Sequence, residues 1–262
     1  MDGVTDESVL LTVSRGIATV TLNRPDKRNA LTQSLLEQLL AVFEAVDLDH
    51  GVRVVVLKGS GKAFCGGMDL TEMLAFRQAR GWFDYELLHD VLQRVASQRN
   101  PTIAVVQGAA FAGGCELALH CDIRIGTPSA QFAMPLARLG LVAPTYAIKH
   151  LVETAGLTAA RELLLTAAVL DGAAAARAGL LTRVVANDAL DAAATALADQ
   201  IAALAPLSLR EMKRAMTRMT SSVDPHVLAE LDAARIAISR SADMVEGLQS
   251  FIERRSPLFR GE

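Results

Sequence analysis

The chain has 262 residues and a mass of 27.9 kDa, enough for one large domain with a substantial hydrophobic core. Hydrophobic residues make up 51% of it, which excludes intrinsic disorder, and a net charge of −3 without a basic aromatic stripe argues against a nucleic-acid partner. Three cysteines favour a reducing compartment, while an acidic N-terminus and the lack of a long uncharged apolar stretch argue against secretion and membrane insertion. We therefore expect a cytoplasmic globular protein with no membrane partner.

The first half of the chain predicts alternating strands and helices, hence an α/β fold. Residues 9–13 and 17–23 favour a hairpin, and Thr32 is a candidate N-cap for a helix with apolar residues at helical spacing. The nearly continuous apolar run at 52–57 is typical of a strand buried on both faces. Further segments predicted in this half are helices at 70–79, 85–98 and 115–120, strands at 102–107 and 123–125, and glycine-rich loops at 59–69 and 108–114.

The second half predicts almost only helices from Thr145 onward, apart from a short strand at 181–185. Pro206 and Pro225 stand at expected helix starts. Such a helical tail could cover the sheet of its own chain or pack against another subunit, and composition does not decide between the two. The predicted helices are residues 158–166, 190–204, 207–219, 227–238 and 244–254.

The two glycine-rich loops are the strongest candidates for a site. Residues 63–70 (AFCGGMDL) and 111–117 (FAGGCEL) each place small residues before an inferred helix start. A helix start presents unpaired N–H groups with partial positive charge, so two of them could aim two donors at one oxygen, as an oxyanion hole does. The structural alternative for each loop is a tight turn with close helix–sheet packing.

Glu116 is a carboxylate at the start of a helix that is otherwise rich in Leu, Ala and Cys. It is either a first-turn stabiliser of the helix dipole or a general acid–base group beside the proposed oxyanion hole. Other site classes fare worse: the sequence has no dinucleotide or phosphate-binding glycine motif and no nucleophile elbow. The group Cys115, His120, Cys121 and Asp122 matches no zinc spacing, so we expect no metal. The remaining histidines are interpreted as solvated or satisfied in the core.

The sequence carries seven short motifs in order: residues 23–25 (NRP), 29–31 (NAL), 63–70 (AFCGGMDL), 101–104 (PTIA), 113–118 (GGCELA), 121–124 (CDIR) and 251–257 (FIERRSP). Together they resemble the enoyl-CoA hydratase/isomerase (crotonase) family. The resemblance runs from Val9 to Pro257 and is far more specific than any single motif. It implies a crotonase-like spiral of β-β-α units at 1–200 and a C-terminal helical trimerisation region at 201–262, assembled as a homotrimer or homohexamer.

The resemblance also implies a coenzyme A thioester as substrate, so no separate cofactor is expected. The matching oxyanion donors are the main-chain amides of Met68 and Gly113, and the first family glutamate matches Glu116. The second family glutamate falls at Leu136, a departure from the hydratase pattern. The resemblance places Lys27, Ala63, Met68, Asp69, Leu70, Gly113 and Leu136 along the substrate, with Arg24, Lys27 and Arg28 as candidates for the CoA phosphates.

The retained glutamate favours hydration or dehydration of an enoyl-CoA. Two alternatives stay open: a non-catalytic acyl-CoA-binding homologue, and a CoA-thioester isomerase or decarboxylase. Thr145 and Tyr146 carry hydroxyls that could replace part of the missing function, although packing is the simpler role. Trp82 and Phe83 are candidates for the wall of the acyl pocket, or equally for the core or a subunit contact.

Overall fold

The computed structural model describes residues 7–80, 85–220, 229, 233, 236–237 and 239–258. Trp82, Phe83, Pro225 and most of the helix predicted at 227–238 lie outside the described residues. The rest of the chain forms two sheets and a set of covering helices. The strands are β1 (Val9–Ser14), β2 (Ile17–Leu22), β3 (Val54–Gly59), β4 (Thr102–Val106), β5 (Ala109–Phe111), β6 (Ile123–Gly126), β7 (Gln131–Ala133), β8 (Val169–Asp171) and β9 (Arg183–Val184).

The larger sheet has six strands in the order β1-β2-β3-β4-β6-β9. Strands β1 and β2 form the predicted hairpin, and every later neighbour in this sheet is parallel. Arg15 and Gly16 both have positive φ, 51° and 75°, as the type I′ turn of a two-residue hairpin requires. All six residues of β3 except Lys58 are buried, which confirms the prediction of a strand covered on both faces.

The smaller sheet contains β5, β7 and β8, in that order. The expectation that 108–114 is entirely loop is therefore wrong, because Ala109–Phe111 is a strand and a helix begins at Gly113. Strands β7 and β8 were not predicted either. Each has three residues, too few to show the alternation that marks a strand.

The helices cover both faces of the larger sheet. Thr32 caps α1 as predicted, since its Oγ1 accepts a hydrogen bond from Leu35 N at 3.2 Å. Helix α5 begins at Thr145, where the sequence predicts that the chain becomes mostly helical, and it extends well before the helical segment predicted at 158–166, with a non-helical break at Gly156. Short 3-10 turns occupy Pro25–Lys27, Pro135–Leu139 and Asn187–Ala189. The helices are α1 (Gln33–Leu48), α2 (Leu70–Arg80), α3 (Glu86–Ala96), α4 (Gly113–Leu119), α5 (Thr145–Thr166), α6 (Gly172–Arg177), α7 (Leu190–Ala202), α8 (Pro206–Thr220) and α9 (Ala242–Glu253).

The C-terminal helices pack against their own chain. The buried Lys213 of α8 makes an ion pair with Asp122 at 2.7 Å, and Gly247 of α9 lies so close to Leu139 that an added Cβ would meet Leu139 C at 2.3 Å. At least part of the helical tail thus covers the core from which it extends. Of the helices that the structure describes, none alone has the length and hydropathy to cross a bilayer, and residues 187–202 with 206–217 pass only as a pair bent by 103°.

Candidate active site

The two glycine-rich loops lie side by side. Cys65 N donates a hydrogen bond to Ala109 O at 2.9 Å, and Phe111 N donates to Cys65 O at 3.0 Å. A methyl group placed on Gly67 would lie 3.6 Å from Gly113 N. The amide of Met68, which follows Gly67, and the amide of Gly113 therefore belong to adjoining turns, as the sequence predicts.

This close approach depends on glycine. Gly67 has a φ of 93°, and a Cβ on it would lie 2.8 Å from Phe111 O. A Cβ on Gly114 would lie 2.3 Å from Cys65 O. Both positions exclude side chains for steric reasons, so the tight-turn interpretation of these glycines is correct, and it is also what brings the two loops into contact.

Ala112 is a strained residue directly before the first residue of α4. Its φ of 46° and ψ of −118° are unusual for a residue with a Cβ and cost about 1–3 kcal/mol. Two hydrogen bonds hold it: Ala112 N donates to Ala133 O at 2.9 Å, and Glu116 N donates to Ala112 O at 3.0 Å. The strained turn sets the direction of the Gly113 amide. Within the described part of the chain, neither Gly113 N nor Met68 N donates a hydrogen bond to a protein acceptor.

The side chain of Asn29 holds the first glycine loop through hydrogen bonds to its carbonyl groups. The residue is fully buried, adopts a left-handed conformation with a φ of 55°, and its Nδ2 lies 2.9 Å from Ala63 O and 3.1 Å from Phe64 O. Leu31, two residues later, pairs with the strand-like segment around Met68: Leu31 N donates to Gly67 O, and Asp69 N donates to Leu31 O. In the sequence, Asn29 stands out only as part of the motif at 29–31. Its amide is what fixes the loop that carries the Met68 amide.

Arg24 and Asp69 form an ion pair at 3.4 Å, with less than a fifth of each side chain exposed. Asp69 Oδ1 also accepts hydrogen bonds from the first turn of α2, from Thr71 N and Glu72 N. The guanidinium of Arg24 is therefore engaged within the protein, which weakens its candidacy as a phosphate ligand. Of the basic cluster, Lys27 and Arg28 are exposed.

The remaining predicted contact residues surround the first loop. Arg28 O accepts a hydrogen bond from Gly66 N at 2.8 Å, so the turn that ends in Lys27 borders the glycine loop. Ala63 is buried, and Leu70 is half-buried at the start of α2. Their contact with substrate stays a prediction.

Glu116 lies one helical turn inside α4 and is only 3% exposed. Burial of a carboxylate is costly, and it is typical of a group with a functional or network role. His120, one further turn along, has Nδ1 2.7 Å from Glu116 O and stacks on His150 with ring centroids 4.5 Å apart. Burial and then the neighbouring His150 lower the pKa of His120 to about 3, so this imidazole is neutral in the folded protein.

The three cysteines are not nucleophiles. Burial raises the pKa of Cys65 and of Cys121 to about 12 and raises the pKa of Cys115 as well, so each remains a thiol. In the described residues, no three His, Cys, Asp or Glu side chains come together in a way that could hold a metal ion. The chemistry that the site offers is therefore that of amide donors and one buried carboxylate.

Leu136 lies in the Pro135–Leu139 turn and is 8% exposed. The turn follows directly on β7, whose Ala133 carbonyl holds the amide of Ala112. The segment carrying Leu136 therefore starts beside the N-terminus of α4.

Two cavities lie elsewhere, one of about 200 Å³ at Lys58 and Asp191 and one of about 420 Å³ at Arg138 and Phe251. Neither is lined by the glycine loops or by Glu116. The candidate site is therefore assigned to the loops, because they hold the amide donors and the buried carboxylate.

The family model described as enoyl-CoA hydratase/isomerase matches residues 12–262. The chain belongs to this family. It is 34% identical over 259 residues to a probable enoyl-CoA hydratase of Mycobacterium bovis, covering 98% of this chain and 99% of that protein.

The solved structures share its architecture, so the fold is that of the crotonases. A crystal structure of an enoyl-CoA hydratase from Mycobacterium avium subsp. paratuberculosis superposes with a TM-score of 0.85 at 26% identity, covering 97% of this chain and 98% of that one. A methylmalonyl-CoA decarboxylase superposes with a TM-score of 0.89 at 24% identity, covering 97% and 99%, and shows only that its fold is the same. The family and the fold are thus established, and the reaction is a separate question.

Proposed function

We propose that the protein is an enoyl-CoA hydratase-type enzyme that acts on an acyl-CoA thioester through an oxyanion-stabilised enolate. The observation that carries the proposal is the juxtaposition of two glycine turns that leave the amides of Met68 and Gly113 without protein acceptors in the described residues. The names of the relatives favour hydration over other reactions of acyl-CoA esters.

The two amides would bind the thioester carbonyl oxygen. When water adds to C3 of a conjugated thioester, the electrons of the double bond move toward that oxygen, and negative charge builds there. Two preorganised N–H donors stabilise this charge more than they stabilise the neutral carbonyl, and one such donor is worth about 3–4 kcal/mol. The strain at Ala112 supports this role, because it is held by the fold at the residue that aims Gly113 N.

Glu116 would transfer a proton at the substrate. Hydration requires one proton to leave the attacking water and one to reach C2. A buried carboxyl group one turn from Gly113 is placed to perform one of these transfers, and a positioned acid–base group is worth about 10²- to 10⁴-fold in rate.

Leu136 leaves the second proton-transfer position of the family pattern without a carboxylate. We therefore treat isomerisation, decarboxylation and binding without turnover as outcomes that the test must separate. All four share the oxyanion site and differ in what happens at C2 and C3.

The same proposal includes CoA binding at the first glycine loop and a homotrimeric or homohexameric assembly. Lys27, which is exposed, would meet a phosphate, and the half-buried Met68 and Leu70 would line the pantetheine arm. For assembly, large apolar side chains on the C-terminal helices are exposed in the single chain, which favours a subunit contact. They are Leu207 at 72%, Met216 at 61% and Phe251 at 62%.

The test is a product assay on a panel of enoyl-CoA esters that vary in chain length and branching, with Glu116→Gln as the matched variant. Mass spectrometry in deuterated water separates the reactions: hydration adds the elements of water, decarboxylation loses CO2, and isomerisation exchanges protons only. We expect hydration by the wild type and a loss of about 10²- to 10⁴-fold in kcat for Glu116→Gln. Equal rates for both proteins would end the assignment of Glu116, and saturable binding without any product would favour the non-catalytic homologue.

A further inference from the structure

Three helices meet at the N-terminus of α4, and one of them brings a histidine. A methyl group placed on Gly113 would lie 3.4 Å from Leu88 Cδ2, so α3 covers the first residue of α4. The next residue of α3, His89, packs its imidazole on the ring of Tyr146, with centroids 4.3 Å apart and planes tilted by 43°. Tyr146 is the second residue of α5. The starts of α4 and α5 thus converge on Leu88 and His89.

His89 is also close to the helix that carries Glu116. Its imidazole contributes to the lowered pKa of His120, which lies one turn beyond Glu116 and has its Nδ1 2.7 Å from Glu116 O. His120 is the C-cap residue of α4, so this influence relates His89 to the end of α4 opposite Gly113. Because it reaches the site from α3, it does not depend on the Pro135–Leu139 turn where Leu136 stands.

The histidines of this region differ in how their ring nitrogens are used. His120 Nδ1 is bonded to Glu116 O, and His150 Nε2 lies 2.8 Å from Leu119 O. His89 Nδ1 is buried and, among the described residues, has no hydrogen-bond partner. A buried polar atom without a partner is destabilising, and such an atom is expected to bond to a ligand that enters.

We propose that His89 is the second proton-transfer group of the active site, held by the ring of Tyr146. The inference rests on the proposed function, because it assigns a residue to the proton transfer that Glu116 leaves open.

The step balances as follows in the direction of hydration. Nδ1 of His89 takes one proton from the water whose oxygen bonds to C3, and the C2=C3 electrons move into the enolate. The carboxylic acid form of Glu116 then gives its proton to C2, as the enolate electrons form the new C–H bond. The imidazolium returns its proton to the Glu116 carboxylate, directly or through solvent, and both groups regain their starting states.

The test uses the full-length protein and the enoyl-CoA that the wild type turns over fastest. His89→Gln and His89→Ala are compared with the wild type. His50→Gln serves as the control, since His50 is exposed and its Nδ1 lies 3.0 Å from Arg99 Nη1. We expect both His89 variants to lose about 10²- to 10⁴-fold in kcat with a change in KM below about threefold, and His50→Gln to match the wild type. Added imidazole should restore part of kcat in His89→Ala and none in His89→Gln, where the side chain fills the space.

The outcomes separate the two proposals. Turnover by His89→Gln within about threefold of the wild type overturns the role of His89 and leaves the proposed function standing. A loss of kcat in His89→Ala without rescue by imidazole, in a variant whose thermal unfolding matches the wild type, also overturns it, because packing alone then explains the loss. A wild type that turns over no ester of the panel defeats the proposed function itself, and the assignment of His89 falls with it.

Discussion

Gly67 is the residue at which the proximity of the two amides is most directly tested. In Gly67→Ala, the new methyl group would lie 2.8 Å from Phe111 O, 3.3 Å from Ala112 Cβ and 3.6 Å from Gly113 N. The first of these contacts is too short to persist, so one glycine turn must move away from the other. The methyl group would also stand beside the amide that the substrate oxygen is proposed to reach.

The magnitude follows from two separate effects. An alanine at a φ of 93° costs about 1–2 kcal/mol in backbone conformation, and the displaced Phe111 carbonyl adds to that cost. We therefore expect a loss of about 1–3 kcal/mol in the free energy of unfolding. Misplacement of an oxyanion donor should lower kcat by a further 10- to 1,000-fold or so in the protein that remains folded.

The neighbouring residue supplies the matched control. An added Cβ at Gly66 would lie 3.4 Å from Arg28 O and 3.5 Å from Arg28 Cβ, which are ordinary contacts, and Gly66 does not have a positive φ. Urea unfolding gives the stability of each variant, and the loss of ultraviolet absorbance by the conjugated thioester gives the rate of hydration. Gly66→Ala should stay within about 1 kcal/mol and close to wild-type kcat. The reasoning is refuted if Gly67→Ala keeps wild-type kcat, or if Gly66→Ala loses as much.

Four other substitutions test separate parts of the account. Thr32→Ala should cost about 1 kcal/mol in urea unfolding, and Thr32→Ser should restore most of it, because only the capping oxygen of α1 is at stake. Lys213→Met should cost about 1–3 kcal/mol, since Asp122 loses a buried cation but keeps its two bonds from Thr102; an unchanged urea midpoint would contradict this. The pKa of His120 is lowered to about 3 in the folded state, against 6.5 in the unfolded chain, so the unfolded chain binds the extra proton between these values. As the pH is lowered from about 6.5 toward 3, the free energy of unfolding should therefore decrease, by up to about 1.4 kcal/mol per pH unit. His120→Gln should flatten this slope in unfolding measured across that window. Leu136→Glu should raise the rate of hydration, because it restores a carboxylate at the second position of the family pattern. It should also lower Tm, because residue 136 is only 8% exposed and a buried carboxylate is costly. A lower Tm without a faster rate would mean that this position does not face the substrate.

The sequence predicts the long elements of the fold well, because they carry their own periodicity or a clear boundary. The hairpin at β1 and β2 and the Thr32-capped helix α1 follow from local signals that act within a few residues. The three-residue strands β7 and β8 could not be predicted, since what makes them strands is pairing within the smaller sheet, to partners distant in the chain. The sequence favours helix from Thr145 onward, but the bounded helical segment was predicted only at 158–166, because the first residues of α5, including Tyr146, pack on the core rather than show a clean apolar stripe.

In the candidate site, too, some features follow from local sequence signals and others only from the tertiary structure. The contact of the glycine loops and the burial of Glu116 could be predicted from the sequence, because small residues before a helix start have a direct steric and electrostatic meaning. Their role in catalysis stays a prediction. The strain at Ala112 could not be foreseen, since alanine carries no signal for a positive φ. His89 was interpreted with the other histidines as solvated or satisfied in the core. Its proposed role depends on the contact with Tyr146 and on the approach of α3 to the start of α4, and only the tertiary structure shows these contacts.

A crystal structure with a non-hydrolysable acyl-CoA analogue would test the central claim most directly. The account predicts that the oxygen in place of the thioester carbonyl lies about 2.7–3.1 Å from both Met68 N and Gly113 N, with the chain beyond it running toward Glu116. An analogue that binds with its carbonyl oxygen bonded elsewhere, or to only one of these two amides, would contradict the account.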